Sequence, residues 1–212
     1  MEMNNVFPWE PLEKWSAMAF LIVGGLWSAD SVLLGLERGM GIHIPDAVFP
    51  VFILSAMLVS VIGLFGFYPR LVDKAPRLAR SSVVVTAAAG VGFTVLLMWW
   101  VAANVLTAVP IPPPALLIVT IFTVFLGFLL FGVASARTAT PSRTVGLLLL
   151  AVVVTLIVYL ITQAVYGANA PSWVSPALTT ILTVVTLAIG ILLRTNTVPA
   201  DRAELETDST VK

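Results

Sequence analysis

Long apolar stretches separated by short polar ones dominate the chain. A helix crossing a hydrocarbon core of about 30 Å needs roughly 20 apolar residues. Stretches of that length lie between charges or prolines at Trp15 to Leu36, Ala47 to Tyr68, Ser81 to Thr107, Ala115 to Ala136, Thr144 to Tyr166 and Val174 to Leu193. The pattern predicts an all-α fold, a polytopic membrane helix bundle of six transmembrane helices spanning residues 15–194. A short N-terminal segment, 1–14, precedes it, and residues 195–212 follow as an acidic tail. That tail carries Asp201, Glu204, Glu206 and Asp208 with little apolar content, so it is expected to be disordered. The longest connection, about Pro69 to Arg80, leaves no room for a soluble domain.

Composition agrees with the pattern. Of 212 residues 59% are hydrophobic and 10% charged, against roughly 25% charged in a soluble domain. Mean hydropathy is +1.04. Net charge is +0, which offers no basic groove and argues against a nucleic-acid partner. Without cysteine there is no disulfide, thiolate metal site or thiol nucleophile, and a single histidine, His43, rules out bis-histidine haem ligation within one chain. No cofactor is expected. Glu2, Glu10 and Glu13 near the start oppose a single lysine, whereas a signal peptide begins basic, so the first apolar stretch reads as a retained helix.

The position of each charge says more than the total. Lysine and arginine in short loops stay on the cytoplasmic side. Lys14 precedes the first span; Arg70, Lys74, Arg77 and Arg80 lie between the second and third; Arg137 and Arg143 between the fourth and fifth; Arg194, Arg202 and Lys212 after the sixth. Only Arg38 falls on the opposite face. The alternation predicts a cell-membrane protein with both termini cytoplasmic, and losing one span would scramble it. Trp9, Trp15 and Tyr68 then fall near the inner boundary, and Trp99, Trp100, Tyr166 and Trp173 near the outer one, where amphipathic rings favour the headgroup zone.

Three outer loops place a proline where the next helix begins, at Pro50, Pro114 and Pro176, and a glycine follows each at similar distance, at Gly63, Gly127 and Gly190. Three related hairpins would produce this pattern, and so would the restricted residue alphabet of a membrane. On the third span, Thr86, Gly90, Ala88 and Gly92 put small residues one turn apart, which predicts close helix packing and a central position for that helix. Phe122, Phe125, Phe128 and Phe131 recur along the fourth span, where packing or lipid contact is the expected role rather than a cofactor box.

Chemistry-bearing groups are scarce. Only one aspartate lies within the spans, where a membrane aspartyl protease needs two; no His-Glu-x-x-His is present; and no acidic cluster is placed to hold magnesium for a transferase. Enzyme activity is not expected. Glu37, His43 and Asp46 share an outer loop, but their spacing matches no metal-site pattern, and no metal is assigned to them. The inner loop offers Arg70, Lys74, Arg77 and Arg80 as candidate contacts for anionic lipid, each worth about 1 kcal/mol near such a surface, although topology alone already accounts for them.

Arginine-over-lysine usage, spans rich in Ala, Val and Thr, the acidic tail and the loop Tyr68-Pro69-Arg70-Leu71 with Ala75-Pro76-Arg77-Leu78-Ala79-Arg80 together resemble the small uncharacterised multi-pass membrane proteins of haloarchaeal type. The resemblance is compositional outside that loop and implies no activity or functional residue. The near-neutral charge departs from the acidic habit of soluble proteins in such organisms.

Asp30 is the one formally charged side chain inside a span. An aspartate at a helix centre costs roughly 2.5 to 3.5 kcal/mol on insertion scales, and such residues usually face the bundle interior. Asp30 lies about 22 Å along the helix from Trp15 and about 10 Å short of Glu37, within the outer half of the core. Trp27, Asp30, Leu34 and Glu37 follow three- and four-residue steps, so both carboxylates share a helical face. Asn104 and Gln163 sit at similar depth and are the expected polar neighbours, from the third and fifth spans. With no basic residue in the membrane interior, protonation or cation binding is the natural chemistry of Asp30; a hydrogen bond between helices is the structural alternative.

Two functional readings follow. The first is a non-enzymatic accessory or assembly subunit acting through the lipid bilayer and a membrane-protein partner or a homo-oligomer. The second is a small cation- or proton-coupled transporter or channel using Asp30.

Overall fold

A computed structural model of the protein describes residues 9–45, 48–105, 110, 112–166, 171 and 173–197. These form α1 (Trp9–Met40), α2 (Val48–Phe65), a single turn α3 (Tyr68–Leu71), α4 (Pro76–Val105), α5 (Pro114–Thr138), α6 (Arg143–Tyr166) and α7 (Val174–Thr197), with no strand among the described residues. Every helix but α3 is long and apolar enough to cross a membrane, and the chain is a multi-pass, six-helix transmembrane bundle. Helix ends run past the apolar stretches, as at Trp9 and Pro76, because the backbone ladder continues beyond the hydrophobic limit. Residues 198–212, on which the expected disordered tail falls, and residues 1–8 lie outside the described residues.

The long helices alternate in direction and close a ring in the order α1, α2, α4, α5, α6, α7 and back to α1, while α2 and α5 also meet across the middle. One end of the bundle, where α1 begins and α7 finishes, collects Arg70, Lys74, Arg77, Arg80, Arg137, Arg143 and Arg194; it is called here the basic end, and its opposite the far end. At the basic end Lys74 Nζ donates to Thr140 Oγ1 at 2.7 Å, tying the α3–α4 turn to the α5–α6 turn.

Small residues set the spacing of the ring. A Cβ on Gly146 of α6 would strike the backbone of Ala136 and stand 2.9 Å from the Gly132 carbonyl oxygen, so α5 and α6 touch backbone to backbone. A Cβ on Gly63 of α2 would stand 2.8 Å from the Phe20 ring of α1, where Ser16 Oγ also donates to the Gly63 carbonyl at 2.7 Å. The corresponding glycines Gly127 and Gly190 also sit at helix contacts, against Thr86 of α4 and against Leu21 and Ala17 of α1. A plain repeated hairpin would have set Gly190 against α6; closure of the ring turns it to α1 instead.

The expected central position of the third span is not observed. Helix α4 takes a place in the ring between α2 and α5 and turns Val84, Val91 and Met98 outward. Its small residues serve two seams rather than one axis: Gly92 backs onto Thr120 of α5, and Gly90 faces Val61 of α2. Beside Gly90 an open groove bordered by Leu58, Ala87 and Val95 runs along the lipid-facing side.

The ring interior is filled unevenly. Toward the basic end Phe20, Leu64, Phe67, Leu71, Phe128, Phe131 and Leu149 are fully buried. The Phe67 ring stands 6.0 Å from that of Phe20, edge to face, and 6.0 Å from that of Phe131, tilted. Three of the four spaced phenylalanines of α5 are therefore core, and Phe122 faces outward.

Candidate functional site at the far end

Toward the far end the interior holds a partly enclosed cavity of about 50 Å³. Its walls come from α1, α2, α4, α5 and α6, and include Trp27, Met57, Phe93, Ile121, Phe125 and Tyr159. Leu54 and Leu156 line it as well.

Asp30 stands one turn farther out than Trp27 on the same face of α1, about 4.5 Å along the axis. It is 2% exposed, turned into the bundle, and its Oδ1 finds no hydrogen-bond partner among the described residues. An unmatched buried polar atom costs about 1 to 3 kcal/mol, more when charged. Thr86 Oγ1 and Ser135 Oγ are also buried without partners, but a hydroxyl carries a smaller penalty than a carboxylate.

Of the two partners expected for Asp30, Asn104 is engaged elsewhere. Asn104 is exposed and gives its Nδ2 proton to the Trp100 carbonyl of its own helix at 2.8 Å. Gln163 belongs to α6, and its side chain lies outside the described residues. Helices α1 and α7 contribute hydroxyls near this level: Ser31 Oγ donates to Thr179 Oγ1 at 2.7 Å, and the Thr179 hydroxyl returns to the carbonyls of Ser175 and Pro176, each at 3.1 Å. Both Ser175 and Thr179 are buried, and with Thr183 and Thr186 they form a hydroxyl stripe at three- and four-residue steps along α7. That periodicity was the available signal in the sequence. A search for charge and amides passes over it.

Glu37, seven residues beyond Asp30, is half-buried, and His43 is exposed; Asp46 lies outside the described residues. At the basic end Lys74, Arg77 and Arg80 are exposed and Arg70 half-buried, within and beside α3. These four cations stand on the opposite end of the molecule from Asp30, so the candidate polar site and the candidate lipid contacts are separate. Trp99 and Trp173, near the far end, differ in their fastening: Trp99 Nε1 donates to the Pro110 carbonyl at 2.8 Å, while Trp173 is exposed.

Comparison with family models, with curated proteins and with solved structures finds no match. Function is therefore argued from the bundle itself.

Proposed function

We propose that the protein is a non-enzymatic subunit of the cell membrane, with both termini in the cytoplasm, that acts through partners in the bilayer in an accessory or assembly role. The observation that carries this reading is the solid basic half of the ring. Phe20, Phe67 and Phe131 are fully buried there and their rings meet in the interior. Outward, the helices present Val84, Phe122, Val154 and Ile191, a surface suited to lipid or to a partner helix. Purification from native membranes in mild detergent tests it: a stoichiometric membrane partner, or a defined homo-oligomer that does not move solutes, supports the reading. A lone protein that carries a solute across proteoliposomes overturns it.

A second reading, a small cation- or proton-coupled transporter or channel, is favoured by one observation, the buried carboxylate with an unmatched oxygen. In that case Asp30→Asn abolishes transport while the bundle stays folded. Equal transport by both proteins rejects it.

The orientation rests on the basic end being cytoplasmic. Cysteines at Ser142 and Asn169, in a chain with no native cysteine, are expected to react with impermeant reagent from the inside and the outside respectively. Labelling from one side only would contradict it. Neutralising Arg77 and Arg80 together is expected to weaken retention by anionic-lipid vesicles if these residues grip headgroups, and unchanged retention dismisses that use.

A further inference from the structure

We infer that the open groove between α2 and α4, together with the arginines at its basic end, forms a site for one anionic phospholipid, with an acyl chain in the groove and the headgroup phosphate at Arg80 and Arg77. The groove holds about 400 Å³ and is walled by Leu58 and Phe65 of α2 and by Ala87, Gly90, Val91 and Val95 of α4. Gly90 leaves it deep, because a Cβ there would stand 3.0 Å from Val61 of α2 and nothing bulkier stands above it. Thr94, also on its wall, gives its hydroxyl proton to the Gly90 carbonyl at 2.8 Å, so the lining offers a chain apolar contact.

One face of α4 joins the groove to the charges. Arg80, Val84, Ala87 and Val91 follow steps of four, three and four residues, and all four are exposed. Arg77 is exposed one turn nearer the basic end. From Arg80 to Ala87 is about 10 Å along the helix, and the groove continues for about 12 Å to Val95. Half of a hydrocarbon core is about 15 Å deep. Two cations at the boundary and an apolar groove reaching from there toward the middle of the membrane are the two parts of a phospholipid at their own separation. Side chains of α4 also lean toward its N-terminus, which carries both guanidinium groups toward the headgroups.

Charge decides which lipid. Between Arg70 and Arg80 four bases stand against the single acid Asp73, a setting that favours a net negative headgroup over a zwitterionic one. An acyl chain gains no hydrophobic energy by leaving lipid for the groove, so selectivity lies at the arginines and the groove fixes the position of the chain. A partner's transmembrane helix would also find apolar contact in the groove but would leave the cations at its end unanswered. The inference rests on the proposed placing of the basic end at a membrane surface, and holds whether the bundle acts through partners or moves a solute.

The test uses the full chain, stripped of lipid in neutral detergent, with phosphatidylglycerol as probe and phosphatidylcholine and glycerol 3-phosphate as controls, read by thermal unfolding and by the lipid retained in native mass spectrometry. Phosphatidylglycerol is expected to stabilise the wild-type protein in a saturable way with one lipid retained per chain, and neither control is. Arg80→Gln is expected to weaken this binding about fivefold. Ala87→Phe, at an exposed position on the groove wall, fills the groove without burying the new ring and is expected to abolish the saturable binding. Arg137→Gln, which removes an equal charge from the same end on α5, and Val154→Phe, on the outer face of α6, are expected to change nothing. Equal stabilisation by phosphatidylcholine reduces the groove to a generic lipid contact, and equal stabilisation by glycerol 3-phosphate reduces the arginines to an anion site without a chain. An Arg137→Gln loss as large as that of Arg80→Gln leaves only diffuse charge, undiminished binding by Ala87→Phe removes the groove, and a lipid-independent dimer lost in Ala87→Phe gives the groove to a helix; each of these overturns the proposal.

Discussion

The two halves of this bundle are built from the same apolar alphabet and have different interiors. At the basic end, phenylalanines from α1, α5 and the α2–α3 turn meet in the middle of the ring and are fully buried, and Ser16 and Gly63 lock α1 to α2 beside them. At the far end the walls are leucine, isoleucine and methionine together with aromatic rings, a cavity remains, and one oxygen of a buried carboxylate has no donor among the described residues. Lipid gives helices no hydrophobic reason to associate, so packing and hydrogen bonds must hold the ring closed. One half supplies that packing; the other is free to be imperfect, which is what a site requires.

The contrast can be broken most severely at the aromatic plug. Phe67→Ala or Phe131→Ala removes a fully buried ring from a packed interior and is expected to cost about 3 to 5 kcal/mol, read by denaturant titration in mixed micelles. Leu54→Ala or Leu156→Ala, which enlarges a cavity already present, is expected to fall near the lower bound of about 2 kcal/mol. Equal losses from the two pairs would erase the distinction between the halves.

Next in size is the backbone contact of α5 and α6. Gly146→Val drives a branched side chain into the main chain of Ala136 and Gly132, and is expected to cost about 1 to 3 kcal/mol or to prevent assembly. An unchanged melting profile would show that the two helices do not approach as described.

Hydrogen bonds come below these. Ser16→Ala at the basic end and Thr179→Val at the far end each remove an interhelical hydroxyl contact, of the kind that averages about 0.6 kcal/mol within membranes. Ser16→Ala is expected to cost more, because the Gly63 carbonyl loses the buried hydroxyl that it accepts from. The smallest effect expected is a gain. Ala139 ends α5 in the left-handed region at φ 52° and donates to the Ser135 carbonyl, a place that favours glycine, so Ala139→Gly is expected to stabilise by about 0.5 kcal/mol.

The spans were legible in the sequence because a membrane demands length and apolarity from each helix separately, and both are local properties. The ring order was not. It depends on which small residues meet, and Gly90 and Gly92 belong to two different seams although they share one helix. For the same reason α4 was expected at the centre and lies on the ring. That Asp30 faces the bundle interior was legible from the cost of the alternative, whereas its surroundings were not. Serine and threonine hydroxyls in membrane helices satisfy themselves on the carbonyl four residues back, as Thr94, Thr123 and Thr162 do here, so their sequence positions carry little sign of an interhelical role. Ser31 and Thr179 looked no different until the helices were placed side by side.

The division between a solid half and a receptive half is most directly tested by cysteine accessibility along one face of α2. Met57 lines the cavity, Leu64 lies two turns toward the basic end in the packed half, and the chain has no cysteine of its own to confuse the readout. A small methanethiosulfonate should modify Met57→Cys when added at the far end of the bundle and leave Leu64→Cys untouched. Modification of both at similar rates, or of neither, would contradict the account.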